Sequence, residues 1–289
     1  MKKLLSLLLA ASMCVVLLAS CGSNGSADAS KGAASSAPAA SAAASGSGDK
    51  ADGDAAEIKT LEDGKLIMAT NAQFPPYEMV ADGDGVNGTG FEGIDVEIAA
   101  AIAEKLGLEL QIDDMDFDAA LTAVQQGKCD IVLAGLTYTD ERAQLMAFSD
   151  SYAQGVQVII VKDGSDIATP DDLANAGMIG TQRGTTGYLY CTDDFGEDHV
   201  AAYDNGAAAV QALLNGQVDA VVIDKMPAET FASENDGLKV LDTADTTEDY
   251  CAAMNKDNEA LVKEVNVVLA ELQADGTLDQ IVAKYINAD

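Results

Sequence analysis

The chain has 289 residues, 48% of them hydrophobic and 26 of them Gly, which is ordinary globular material in an amount that suits about two domains. Against 16 Lys and Arg stand 48 Asp and Glu, a net charge of -32 that becomes -34 if Lys2 and Lys3 are removed with a leader. So acidic a surface repels nucleic acid and anionic membranes, and reads as a well-solvated exterior.

At the N-terminus, Lys2-Lys3 precedes an apolar run from Leu4 to Leu18, the charged and hydrophobic regions of a secretory signal. The run ends in Leu18-Ala19-Ser20-Cys21, which resembles the lipobox of bacterial lipoproteins. Residues 1–20 are therefore expected to be a lipoprotein signal peptide and Cys21 the lipidated residue; the run is at the short end for an uncleaved membrane span. Residues 21–57 are a Ser, Ala and Gly tether with hardly a large apolar side chain, expected to be disordered. Its 36 residues after Cys21 would span about 30 to 35 Å as a flexible coil. With Cys14 inside the signal, Cys129, Cys191 and Cys251 remain, an odd set without CxxC or Cys/His spacing. They are expected to be buried apolar fillers, one disulfide plus a free thiol being the other arrangement, and no metal site is expected. His199 is the sole histidine, which leaves no His-based triad.

From Lys65 onward strand and helix alternate. Residues 65–70 form a strand, the loop Asn71 to Tyr77 is held irregular by Pro75 and Pro76, and the glycines between Met79 and Gly90 suggest a hairpin. Apolar residues at Ile94, Ile98, Ala101, Ile102 and Leu106 make a helical stripe that stops at Gly107. A strand at 108–112, a helix with Phe117, Leu121 and Val124 on one face, and a buried strand at 130–134 follow. The β-rich run Gly155 to Val161 reads as the crossing to a second lobe. There Thr169-Pro170 starts a helix, 178–181 is a strand, and alternation continues to Val240-Leu241. Helices at 257–274 and 277–286 close the chain. Such alternation predicts an α/β fold with mostly parallel sheets, in which ligands lie beyond the carboxyl ends of the strands.

Two segments echo each other. Ala123 to Val132 and Ala212 to Val221 each run from a helix end through a Gly to an Asp and a buried strand, and eight residues past Gly127 and Gly216 stand Gly135 and Asp224. If both strands end at one crevice, Asp224 is the second copy's contribution; capping of the next helix is its alternative role. A free amino acid needs a guanidinium and amides for its carboxylate, a carboxylate for its ammonium, and an apolar wall. In the stretch Ala134 to Arg142, Arg142 offers the guanidinium, Gly135 and Thr137 a carbonyl and a hydroxyl, and the surrounding backbone free amides; Asp224 offers the countercharge. The turn Gln182 to Gly187, with Thr185 and Thr186, leads from strand to helix and suits an anion. Phe74 and Tyr77 could wall the side chain.

Six blocks in one order over Leu66 to Ile286 make the chain resemble the family 3 solute-binding proteins, the polar amino-acid receptors of ABC importers. They are Phe74-Pro75-Pro76-Tyr77-Glu78, Gly93 to Ala99, Gly135 to Arg142, Phe148 to Tyr152, Gly184 to Gly187 and Asp219 to Asp224. The resemblance implies the two-lobed type II periplasmic-binding-protein fold, with lobe 1 at 58–155 and 246–289, lobe 2 at 156–245, and a two-strand hinge. It implies that Arg142 binds the α-carboxylate, Asp224 the α-amino group, and Gly135, Thr137 and Thr186 the remaining backbone atoms of the ligand; Leu136 belongs to the same block. Where relatives that bind basic side chains often carry an acid there is Asn71, and where some use a lysine there is Gln182, so neutral polar and basic ligands both stay open. Arg183, if it faced inward, would admit an acidic one. No cofactor is expected, and the protein should be a monomeric, membrane-tethered extracytoplasmic receptor whose partner is an ABC permease. A cyclohexadienyl or arogenate dehydratase on the same fold is the alternative, but no carboxylate is assigned by sequence as its general acid. Gly83-Asp84-Gly85-Val86-Asn87-Gly88 matches GxGxxG without a buried strand before it or a helix after it, so dinucleotide binding is not expected.

Overall fold

A computed structural model describes residues 58–241 and 247–286; the expected signal peptide, Cys21 and tether lie outside the described residues. In chain order the elements are β1 (Lys65–Thr70), β2 (Gln73–Phe74), β3 (Glu78–Val80), β4 (Phe91–Glu92), α1 (Ile94–Leu106), β5 (Glu109–Asp114), α2 (Phe117–Gln125), β6 (Ile131–Val132), α3 (Asp140–Ala143) and β7 (Ala147–Lys162). Then follow β8 (Ile179–Gln182), α4 (Thr186–Phe195), β9 (Val200–Tyr203), α5 (Gly206–Leu214), β10 (Ala220–Asp224), α6 (Lys225–Glu234), β11 (Leu238–Leu241), β12 (Thr247–Met254), α7 (Glu259–Ala274) and α8 (Thr277–Ile286).

The architecture is the two-lobed α/β fold. One lobe holds the parallel strands β5-β1-β6, with β12 antiparallel beside β6. The other holds the parallel strands β10-β8-β9. The long strand β7 joins them: it pairs with β12 from Ala147 to Val156, then with β10 from Gln157 to Ile160. Both sheets are buried on both faces, so successive strand residues enter opposite cores. Leu66 and Met68 pack toward one core with Ile98, Ile102 and Val265, while Ile67 and Ala69 pack with Phe117 and Val124. In the second lobe Val158, Ile160, Val221 and Ile223 share the first core, whereas Ile159, Val161 and Val222 meet Leu173 and Cys191. Each such Leu, Ile or Val contributes about 1.5 to 3 kcal/mol on burial.

Four sequence readings change. The proline loop is not wholly irregular, because Gln73–Phe74 pairs with β3 in a small three-stranded sheet. The strand at 130–134 shortens to Ile131–Val132, since the chain leaves the sheet to line the cleft. The helix expected after Thr169 is a 3₁₀ turn over Pro170–Asn175. Most consequential, the second hinge strand implied by the resemblance is β12, where the residues themselves announce no strand. Its Thr-Glu-Asp-Tyr start and Ala-rich end carry little of the β-branched signal that marks a strand, yet it sits between β6 and β7.

The echo is structural. After α2 and after α5 the chain turns with the same backbone bonds, Lys128 N to Ala123 O at 2.8 Å and Gln217 N to Ala212 O at 2.9 Å. Asp130 then accepts from the amides of Leu61 and Ile67, both at 2.8 Å, as Asp219 accepts from those of Gly177 and Met178 at 2.7 and 3.3 Å. Each aspartate thereby holds the strand alongside, β1 or β8, in register with the strand that ends at the cleft.

Candidate functional site

Both echoed strands deliver their ends to one narrow cavity between the lobes. It is lined by Asn71, Phe74, Gly135, Thr137, Arg142, Gln182, Thr185, Thr186 and Asp224, together with Glu78, Phe117 and Ala134. Tyr77 and Leu136 do not line it. Tyr77 stands behind Phe74, ring centroids 5.9 Å apart, and edge-on to Tyr250 at 5.1 Å, while the Leu136 side chain is fully buried in the α2 core.

Thr139 caps the short helix α3 by accepting from Arg142 N at 3.1 Å, which aims Arg142 inward. The guanidinium lies over the Phe117 ring at 5.7 Å. It donates from Nη1 to Thr137 O at 2.6 Å and, across the cleft, from Nη2 to Gly184 O at 2.9 Å. Burial lowers its pKa, opposed by the charges of Glu248 and Asp224. A buried guanidinium whose hydrogen bonds end on neutral carbonyls has the chemistry to take a carboxylate bidentately.

The amides of this stretch are less free than the sequence suggests. Gly135 N donates to Asp95 Oδ2 at 2.8 Å, and Tyr138 N to Asp249 O at 2.9 Å. Gly135 itself is required: its φ is +53°, and a Cβ there would come within 2.6 Å of the Phe74 ring.

Asp224 precedes α6 but makes no capping hydrogen bond. It accepts instead from Tyr250 OH and, at 2.9 Å, from Gln157 Nε2. Burial pushes its pKa up to about 7, with Glu248 adding to the rise and the Tyr250 and Gln157 bonds opposing it. Thr185 caps α4 by accepting from Tyr188 N at 3.3 Å. Thr137 and Thr186, one from each lobe, both donate their hydroxyls at 2.9 Å to Glu248 Oε2. Asn71 and Gln182 meet each other, Gln182 Nε2 donating to Asn71 Oδ1 at 3.0 Å. Arg183 points away, toward Asp204 at 3.8 Å, so it offers nothing to an acidic side chain.

Sequence reasoning missed Glu78, Gln157, Glu248 and Tyr250. Glu78 and Gln157 carried a signal, a polar residue inside an otherwise apolar run. Glu248 and Tyr250 carried none, because they lie on a hinge strand whose own residues do not announce it. Cys129, Cys191 and Cys251 are free and buried, and burial first of all pushes each thiol up to about 12.

Two α/β lobes joined by β7 and β12, with an arginine and a buried carboxylate facing one cleft, define a two-lobed binding protein. The chain belongs to the bacterial extracellular solute-binding proteins, family 3, whose profile matches residues 66–288. It is 33% identical over 228 residues to the probable histidine-binding protein of Neisseria gonorrhoeae, covering 77% of this chain and 83% of that one. It is 31% identical over 293 residues to the ABC transporter glutamine-binding protein GlnH of Bacillus subtilis, covering 100% and 99%. Among solved structures, the arginine-, lysine-, histidine-binding protein ArtJ of Geobacillus stearothermophilus superposes with a TM-score of 0.72 at 30% identity, over 78% of this chain and 96% of that one.

Proposed function

We propose that this chain is an extracytoplasmic receptor that binds a free L-amino acid between its lobes and delivers it to an ABC importer, acting as a binder and not as an enzyme. The observation that carries this reading is that Arg142 and Asp224 line one cavity from opposite lobes, a charge pair that fits a zwitterion. Arg142 grips the α-carboxylate, aided by Thr186; Asp224, with Gly135 O and the Thr137 hydroxyl, takes the α-ammonium. Phe74 and Phe117 wall the side chain, and Asn71, Gln182 and Glu78 face its tip. Relatives named for histidine, glutamine and arginine binding support a polar or basic side chain.

The lobe limits of 58–155 with 246–289, and of 156–245, are part of this reading, supported by the change of partner along β7 at Val156 and Gln157. So is a monomer anchored through a lipid on Cys21. A thermal-shift screen of the soluble body against the common amino acids tests the function: a ligand at 100 times its Kd stabilises by about 2.7 kcal/mol. No shift with any amino acid, or turnover of prephenate or arogenate, would overturn it.

A further inference from the structure

Glu78, at the head of β3, lines the cavity although it is fully buried, and neither of its carboxyl oxygens meets a donor. Behind it stands Asp95 of α1, equally buried, whose Oδ2 accepts from Gly135 N and from Tyr152 OH, both at 2.8 Å, while its Oδ1 meets no donor. Backbone bonds bring the two acids side by side, Ile94 N donating to Pro76 O at 3.1 Å and Asp95 N to Tyr77 O at 2.9 Å. Two ionised carboxylates with orphaned oxygens cannot share such a site; one proton between them satisfies both.

The surroundings agree. Burial first, then Asp95, Asp224 and Asp114, push Glu78 well above the carboxylate range, and burial pushes Asp95 up to about 7. The other groups facing the pair are the hydroxyls of Tyr77 and Tyr152. Arg142, the cation in this cavity, spends its hydrogen bonds on Thr137 O and Gly184 O and none on Glu78.

We propose that the Glu78–Asp95 pair is a proton-exchange site: a cationic ligand side chain, an ammonium or guanidinium, seated against Glu78 displaces the shared proton to solvent. One positive charge enters and one leaves, so the charge of the site is unchanged. With its proton retained, the same pair leaves one Glu78 oxygen free as an acceptor for a neutral donor such as an amide, which lets one pocket receive either class. This rests on the amino-acid reading of the cleft.

Calorimetry of arginine, lysine and glutamine in buffers of different ionisation enthalpy counts the protons released. Seating the α-ammonium of any amino acid against Asp224 releases the proton of that carboxyl to solvent, so the glutamine count is the baseline. Arginine and lysine are expected to release up to one proton more, and Glu78→Gln to abolish that excess over glutamine. Should Glu78→Gln not fold, a wild-type series serves: affinity for arginine relative to glutamine should rise by up to tenfold per pH unit over the range in which the pair is protonated. Equal counts for basic and neutral ligands, an excess that survives Glu78→Gln, a ratio flat with pH, or binding of neutral amino acids alone would overturn the exchange and leave the receptor reading standing. Binding of no amino acid would overturn the receptor reading itself.

Discussion

Arg142 is a desolvated cation whose two bonds end on backbone carbonyls, so truncation strands whatever anion it was placed to meet. Arg142→Ala is expected to weaken amino-acid binding by about 3 to 5 kcal/mol, roughly two to three and a half decades in Kd; calorimetry finding less than a threefold change would remove its role. Asp224→Asn should lose less, since an amide oxygen can still accept from Tyr250 or Gln157. Gly135 and Asp224 were legible because each stands eight residues past a glycine in a pattern the chain uses twice, and Arg142 because it ends the stretch that Gly135 begins. Glu78 stood out as an acid among apolar residues, but only the fold shows that no donor reaches it. Glu248 was invisible: its partners Thr137, Gln157 and Thr186 come from three separate elements.

At the scale of elements, the echo carried furthest, since a helix end, a turn, an aspartate and a strand are a local code that folds the same way in both lobes. The hinge was half legible. Residues Gly155 to Val161 announce β7 by their β-branched content, but its first half, Ala147 to Gln154, mixes Ser, Asp and Gln with apolar residues and is paired only because β12 lies beside it. The two strands meet at a tight point. A Cβ on Gly155 would come within 2.4 Å of the Tyr250 ring, the residue whose hydroxyl bonds Asp224. Gly155→Ala must therefore push that ring, and the expected result is a loss of about 1 to 3 kcal/mol in urea unfolding together with weaker ligand binding. Unchanged affinity alongside reduced stability would separate the hinge contact from the site.

For the molecule as a whole, the buried acids make stability fall with alkalinity. Asp95 and Asp224 both stand at about 7 in the folded chain, against about 3.9 for an unfolded aspartate. Between those values the native state binds protons the unfolded state has lost, so this stabilisation is complete below the unfolded pKa and gone once pH has risen through 7. The net charge of -32 pushes the same way through self-repulsion. Protein dialysed free of amino acids is expected to melt lower at pH 8 than at pH 5.5, and an equal or higher Tm at pH 8 would show that these carboxyls do not carry protons.

One oxygen of Glu248 gathers the Thr137 hydroxyl from one lobe and the Thr186 hydroxyl from the other. The two hydroxyls assigned to the ligand thus already have an acceptor, supplied by the strand that joins the lobes. Recognition at this site is then an act of replacement. Thr137 can accept from an ammonium while still donating to Glu248, but Thr186 must leave Glu248 to donate to a carboxylate, so affinity records the difference between two sets of hydrogen bonds. A molecule that merely fits the space, without outbidding that carboxylate, gains little from entering.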